Sequence, residues 1–566
     1  MRAILVFNNM NDLIYWKWNH IFVKHVLNLA KGQGLLSDEK VIRELNPDIV
    51  IQIFSPIITS QKIMSCQFGN SYTSVQCRDG TNIVFDEYVG YLLVHISRDS
   101  VCQMQRTLAT CISIIQFFCG PDPSFLKHEK QRAGVNLAMS SWQRLFGRDQ
   151  AVLLGATQAL VTGSDVAATT LGALKASAQL LTPPHRPRHA VIFVKNKLLA
   201  LYSRWCGEFG QTLSWTVMLS GGSPWTLLLR RLAPGATLVL LLGGAGPAAP
   251  ALHAALVALA GLAVPLAQDQ VQALRPELAR LETAMKKVLD CLKKSKNQPD
   301  SPQRKLQTHW ETLKKKTSDI TRTSSPSVSW MGAEAALCPL RLALRTAYQL
   351  QCEGFTPSVG ETSAAFDAVH SRLGPLYDFL RVKAMTNFTL GSYPFTDIYK
   401  TFVEEFPGLV HFLYVDRSTH RLTAPSLLDF TPEMIAHTWQ EIIWQMVERG
   451  CANVRAGHLA TMWKDGSLHY AHLLWWEDSC GAPLKPKPLT APILPTNNHT
   501  PMQYYSKLTA ACFPGSAAPS SRGVRCLELY CVHLGLLPAG TALGHARRLA
   551  ATVSDLWAPA HPAGLL

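Results

Sequence analysis

Three segments of this chain share one pattern: an apolar strand, a short polar turn and a second apolar strand. The first runs from Ala3 to Phe7, turns around Asn8 to Asp12 and continues from Leu13 to Trp16. The second runs from Ala190 to Val194, turns at Lys195 to Lys197 and returns from Leu198 to Tyr202. The third runs from Val410 to Val415, turns from Asp416 to Arg421 and continues to Leu427. Each reads as a β-hairpin. They recur about 190 to 220 residues apart, a domain spacing and not a solenoid spacing. Hairpins are common, so recurrence alone leaves open whether they mark three copies of one domain. The chain has 566 residues, enough for roughly three to four domains.

Around the first hairpin the pattern extends to a whole domain. His20 to Lys31 reads as a helix, Ser71 to Cys77, Asn82 to Tyr88 and Tyr91 to Ser97 as strands, and Val101 to Phe118 as a second helix. That order predicts a five-stranded sheet with helices packed on it. Near the other end, Leu459 to Trp463 and Ser467 to Trp476 flank Lys464-Asp465-Gly466, and the Asp-Gly pair predicts a type I′ turn. The prolines from Pro483 to Pro501 read as an extended connector, which fits better than an SH3 ligand.

Hydrophobic residues make up 47% of the chain and mean hydropathy is +0.07, which excludes wholesale disorder. The opening Met1 to Phe7 is too short an apolar run for a signal peptide. The 14 cysteines form no Cys-x-x-Cys pair and sit mostly among apolar neighbours, as reduced core cysteines do. A cytosolic chain is expected, which makes the sequons at Asn387 and Asn498 chance matches. The net charge of +15 favours an anionic partner without choosing among nucleic acid, phospholipid and acidic protein. Nucleic acid fits least, because no aromatic-interleaved basic groove or recognition helix appears.

Leu232 to Gln268 contains no charged residue. Glycines and prolines break it too often for a membrane span, and a buried strand (Ala236 to Leu242) followed by a buried helix (Ala251 to Leu262) fits better. Gly244 to Ala249, with Asp269 about 20 residues on, matches a loose dinucleotide fingerprint. Pro247 lacks the N–H that a phosphate cradle uses, and only one βαβ unit is visible. No Walker A loop, HExxH or GxSxG occurs. His469 and His472, three apart on a strand, point to opposite faces and cannot share a metal ion. No catalytic, cofactor or metal residue is therefore assigned. Leu274, Leu278, Leu281, Met285, Val288 and Leu292 form an apolar helical stripe, which predicts a helix docked on a sheet. Lys286, Lys287, Lys293 and Lys294 lie on its polar face. They read as a solvated face or as a contact for an acidic partner or anionic membrane.

Residues 404–417, Glu-Glu-Phe-Pro-Gly-Leu-Val-His-Phe-Leu-Tyr-Val-Asp-Arg, and Ala424 to Leu427 closely resemble the Hermansky–Pudlak syndrome type-one protein family. Asp378 to Lys383, Tyr470 to Asp478, Tyr504 to Leu508, Val524 to Leu529 and Lys197 to Ser203 carry further similarity. Residues 150–180 and 205–270 depart from the family, being rich in Ala, Leu and Gly. The resemblance implies an α/β chain of three longin-like domains, each a five-stranded, mostly antiparallel sheet flanked by helices. Residues 1–125 would form the first and 126–188 a helical connector. Residues 189–295 would form the second, 296–377 a basic, Ser-rich linker with helices, and 378–566 the third. It also implies an obligate heterodimer with the type-four protein of the same syndrome. That pair acts as a nucleotide exchange factor for Rab GTPases in the biogenesis of lysosome-related organelles. The chain would then lie in the cytoplasm, peripherally on lysosome-related or endosomal membranes, with no covalent chemistry and no cofactor. A non-catalytic trafficking scaffold or Rab effector is the alternative. The first domain would supply part of the GTPase platform, with Tyr15, Trp16, Lys17 and Trp18 as contact candidates. Alternation puts Trp16 and Trp18 on one face of their strand and Tyr15 and Lys17 on the other.

Overall fold

A computed structural model of the chain describes all residues except 9, 37–44, 69–70, 121–122, 159, 161, 163, 181–186, 195–196, 204–224, 234, 244–247, 268–270, 295–299, 323–326, 354–358, 387–405, 426–432, 479, 488–500, 514–522 and 558–566. Two compact units emerge. One holds Met1–Ser141, Met218–Trp225 and Gly244–Thr356, and the other Trp142–Val217, Thr226–Gly243 and Pro357–Leu566.

The first unit opens with the expected hairpin, β1 (Arg2–Phe7) and β2 (Leu13–Trp18), paired antiparallel with Val6 opposite Tyr15. Asn19 then caps α1 (His20–Gly32) by accepting from the Phe22 N–H at 3.0 Å. After α2 (Pro47–Phe68) come β3 (Ser74–Gln76), β4 (Asn82–Tyr88), β5 (Tyr91–Ser97) and α3 (Val101–Cys119). The sheet order is β2-β1-β5-β4-β3, antiparallel throughout, as the strand pattern predicts. One face packs on α1 and α2 through Leu5, Phe7, Phe22, Val26, Val50, Ile58, Phe85 and Val94. Helix α2 is not foreshadowed by periodicity: isoleucines occur nearly all round it, and Pro56 sits inside it. Next comes α4 (Glu129–Phe146), within which the division between the two units falls.

Along the chain α5 (Gln150–Leu154), β6 (Thr157–Gln158) and α6 (Ser164–Leu180) precede the second sheet. It consists of β7 (Pro187–Val194), β8 (Lys197–Ser203), β9 (Trp225–Ala233) and β10 (Ala236–Gly243), in the order β8-β7-β10-β9. Four strands are described where five are expected. The charge-free stretch is the strand β10 followed by α7 (Ala249–Ala267). No helix among the described residues is long and apolar enough to cross a membrane.

Helices α7, α8 (Val271–Lys294), α9 (Asp300–Arg322) and α10 (Ser327–Glu353) share one apolar core. The stripe on α8 is real, but it docks on helices and not on a sheet. Leu256, Leu259 and Leu262 of the uncharged α7, with Leu313 and Leu340 of α9 and α10, supply the apolar surface that it needs. So α7 and α8, expected with the second sheet, pack with α9 and α10 instead. That sheet is covered by α6 together with α11 (Val359–Leu373) and α12 (Tyr377–Thr386).

The third sheet joins β11 (Leu409–Asp416) and β12 (Arg421–Thr423) to later strands. After α13 (Glu433–Arg455) come β13 (Ala460–Asp465), β14 (Leu468–Glu477), β15 (Pro483–Leu484), α14 (Pro501–Cys512), β16 (Arg525–Leu534) and α15 (Ala539–Trp557). The order is β13-β14-β16-β11-β12-β6, with β15 beside β14. The edge strand β6 runs parallel to β12 and comes from the expected helical connector. Ala151, Leu153 and Leu154 of α5 enter the core between this sheet and α13, while α15 covers the opposite face. In the β13–β14 turn Asp465 pairs with Leu468, so the two central residues are Gly466, with a φ of 55°, and Ser467, with no positive φ, which is the Gly-first type II′ arrangement and not the type I′ turn expected of Asp-Gly.

Candidate functional site

The β1–β2 turn is tied by Asn8, whose Oδ1 accepts from the backbone N–H of Met10 at 2.9 Å and of Asp12 at 2.8 Å. Lys62 of α2 donates to the Asn8 carbonyl at 3.1 Å. This fixed turn sets the alternation along β2. Trp16 and Trp18 fall on the face covered by α1 and α2, stacked with ring centroids 5.7 Å apart. The stack continues to Phe22 and Phe54. Tyr15 and Lys17 fall on the other face. The Tyr15 hydroxyl donates to Asn136 Oδ1 at 2.8 Å, and Lys17 Nζ donates to Ser140 Oγ at 2.6 Å, both on α4. Arg132 of α4 closes the outer edge: it donates to the Ile14 carbonyl at 2.9 Å and lies over the Trp16 ring at 4.6 Å.

The alternation predicted for these four residues therefore holds, and each side has a partner within the chain. Tyr15 is 0% exposed, so it has no surface to offer another protein. Burial pushes its hydroxyl far above the ordinary phenol range and lowers the Lys17 ammonium. Trp16, Lys17 and Trp18 are half-buried. More accessible are Ile21 at 49% and Leu29 at 38%, which with exposed His25 line one side of α1 at four-residue intervals. The buried stripe Phe22, Val26 and Ala30 satisfies the fold without them, so an apolar pair on the far face marks a candidate contact.

On α8, Lys286, Lys287 and Lys293 are exposed above the buried Met285, Val288 and Leu292. Lys294 belongs to the same helix, and its side chain lies outside the described residues. Exposed Arg304, Lys305 and Lys315 extend the basic surface over α9, and Lys314 pairs with Glu282 at 2.9 Å.

The largest concentration of buried charge lies elsewhere, in the third domain. Glu528 on β16 is 0% exposed. Its Oε1 accepts from His472 Nε2 at 2.9 Å, from the Tyr505 hydroxyl at 2.6 Å and from the Tyr530 hydroxyl at 2.8 Å. Its Oε2 accepts from Arg417 Nε at 2.6 Å and from a second guanidinium nitrogen. Arg417 also donates to the Leu154 carbonyl and covers the Tyr505 ring at 4.1 Å. Because a carboxylate only accepts, His472 carries its proton on Nε2. Gly450 of α13 makes room: a Cβ there would run into the Tyr530 ring. Burial alone would raise the Glu528 carboxyl, but Arg417 and the hydrogen bonds from His472 and Tyr505 hold it at about 2. Burial raises the hydroxyls of Tyr505 and Tyr530 well above the usual range. With both oxygens engaged and no exposed surface, this cluster holds structure and cannot reach a substrate. A lone acid inside the apolar run Cys526 to Val532 gives no motif, so nothing in the residue pattern flags it.

His469 and His472 do point to opposite faces of β14: Leu468, Tyr470 and His472 face α13, whereas Ala471 and Leu473 face α15. Among the described residues no group of three or more His, Cys, Asp or Glu is placed to hold a metal ion. The core of the dinucleotide-like segment, residues 244–247, and Asp269 lie outside the described residues, as do both sequons.

Residues 2–146 match the family described as the first longin domain of FUZ, MON1 and HPS1. Residues 408–556 match the third longin domain of the same three proteins. The first match contains the five-stranded sheet and its helices, and the second contains β11 to β16 with the buried carboxylate. The two matches cover more than half of the chain, in the order that a tri-longin protein requires, and the chain belongs to the tri-longin family of FUZ, MON1 and HPS1.

Proposed function

We propose that the chain is one subunit of a heterodimeric guanine-nucleotide exchange factor for Rab GTPases in the biogenesis of lysosome-related organelles, paired with the Hermansky–Pudlak syndrome type-four protein. The observation that carries this reading is the pair of matches to first and third longin domains. The likeness of residues 404–417 to the type-one protein narrows it within the family. Exchange needs no nucleophile, acid–base pair or metal. The factor binds the nucleotide-free GTPase more tightly than the loaded one, and that difference drives release. A difference of about 4 kcal/mol gives roughly a thousandfold acceleration. The GTPase platform would use the first domain, with the exposed Ile21 and Leu29 of α1 and the half-buried Trp16 and Trp18 of β2 as candidate contacts. The basic surface of α8 and α9 would hold the complex peripherally on anionic membrane.

The test is release of a fluorescent GDP analogue from a panel of Rab GTPases, with and without the purified heterodimer. Acceleration for a Rab of lysosome-related organelles supports exchange. Binding without acceleration supports the alternative, a trafficking scaffold or Rab effector subunit, for which the same longin matches are expected.

A further inference from the structure

The face of the third sheet opposite Glu528 carries three histidines. His469 on β14 and His533 on β16 are cross-strand partners, and His545 on α15 has its ring centroid 5.8 Å from that of His533. His533 is 0% exposed and His545 6%. Both ring nitrogens of His533, and Nδ1 of His469 and His545, are buried without a hydrogen-bond partner among the described residues. The charged neighbours among the described residues are cations. Arg548 on α15 lies over the Phe406 ring at 5.2 Å, and Lys464 on β13 stands opposite His469. Phe406 meets His545 edge-on at 5.6 Å, and Leu409 of β11 stands opposite His533. The one acid on β16, Glu528, points to the other face, where Tyr530 and Val532 also lie.

We propose that His533 and His545, packed beside His469, form a proton-operated latch: as neutral imidazoles they let α15 dock on the third sheet, and protonation releases it. Among the described residues, a charge placed among these rings faces Arg548, Lys464 and its own neighbours and no carboxylate. The released surface would be the apolar layer that Ala546, Leu549 and Val553 cover, including Phe412, Leu527 and Leu529. Burial, with the neighbouring His545 and His469, pulls His533 down from 6.5 to about 4, and burial with Arg548 lowers His545. A base whose docked pKa is depressed favours docking above 6.5 and loses that contribution as pH falls towards 4. For His533 alone the undocking equilibrium rises about 30-fold between pH 7.5 and pH 5.

Hydrogen–deuterium exchange of the full chain, corrected for intrinsic rates, reads this directly. Protection of α15 should fall about 30-fold or more between pH 7.5 and pH 5, while α9 keeps its protection. His533→Phe should abolish most of the step. His545→Leu, at the helix side of the cluster, should shrink it, and gives the same reading if the first variant does not fold. An unchanged α15 in the natural chain overturns the latch, and so does an equal step in both variants. Added Zn²⁺ that raises α15 protection at pH 7.5 also overturns it, by making the trio a metal site.

Discussion

Arg417 donates to the Glu528 carboxylate at 2.6 Å, and the same guanidinium reaches the carbonyl of Leu154 on α5. A charge pair in the core of the third domain thus holds a segment that lies more than 250 residues earlier. Glu528→Gln leaves Arg417 buried without its counter-ion and should cost about 3–5 kcal/mol of stability. Arg417→Met should cost a similar amount, since it strands the carboxylate. The double variant should lose less than the two single losses added together, and a chemical-denaturation cycle on the full chain measures the difference. Strict additivity would show that the pair is not coupled.

Acid should destabilise the chain in two steps. His411 donates from Nε2 to Gln150 Oε1 at 2.8 Å, and burial lowers its pKa to about 3. Burial likewise lowers His95 in the first domain to about 4. Both contribute stability above pH 6.5 and lose it as pH falls towards those values. Glu528, held at about 2, contributes fully above about 4.5 and loses that contribution only below it. The denaturation midpoint followed from pH 8 to pH 3 should therefore start to fall near 6.5 and steepen below 4.5. His411→Gln should shrink the upper step, to which His95 still contributes, and leave the lower one.

Local patterning carried much of this architecture in the linear chain. The three hairpins, the five strands of the first sheet and the strand–helix reading of residues 232–268 all follow from alternation and glycine or proline punctuation. What escaped depends on distance along the chain. The two residues of β6 carry no pattern, and their parallel pairing with β12 joins positions far apart in sequence. An apolar stripe on α8 says that a partner exists and not whether the partner is a sheet or α7. The Glu528 cluster draws on Arg417, His472, Tyr505 and Tyr530 from four separate elements, so no spacing rule finds it. At β2, alternation sorted the four candidates by face, but covering of the edge by α4 is a tertiary fact.

The basic surface of α8 is testable apart from exchange. Lys286, Lys287 and Lys293 stand free of the bundle core, so reversing them to glutamate should leave stability nearly unchanged. Each cation near an anionic bilayer is worth about 1 kcal/mol, so removing three should weaken binding to phosphatidylserine vesicles roughly a hundredfold. Sedimentation with vesicles measures it, and the natural chain should be released by raised salt. Equal sedimentation of variant and natural chain would exclude this face as the membrane contact.

Changes on the exposed face of α1 test the proposed GTPase contact apart from folding. Ile21 and Leu29 are 49% and 38% exposed, while Phe22, Val26 and Ala30 hold the helix to its sheet. Ile21→Asp with Leu29→Asp should therefore shift the thermal midpoint by little, since surface changes usually lie within about 0.5 kcal/mol. If this face meets the GTPase, the same pair of changes removes two apolar contacts and places charge at the interface, at about 2–4 kcal/mol. Accelerated GDP release should then fall roughly 30-fold to 1,000-fold. Tyr15→Phe gives the opposite signature. It removes the hydrogen bond to Asn136 and leaves that acceptor unpaired, which should lower stability by about 1–2 kcal/mol with little effect on exchange per folded molecule. Measuring midpoint and release rate on both variants distinguishes a contact face from a structural one. Exchange that survives the α1 changes at full rate would move the GTPase platform away from this helix.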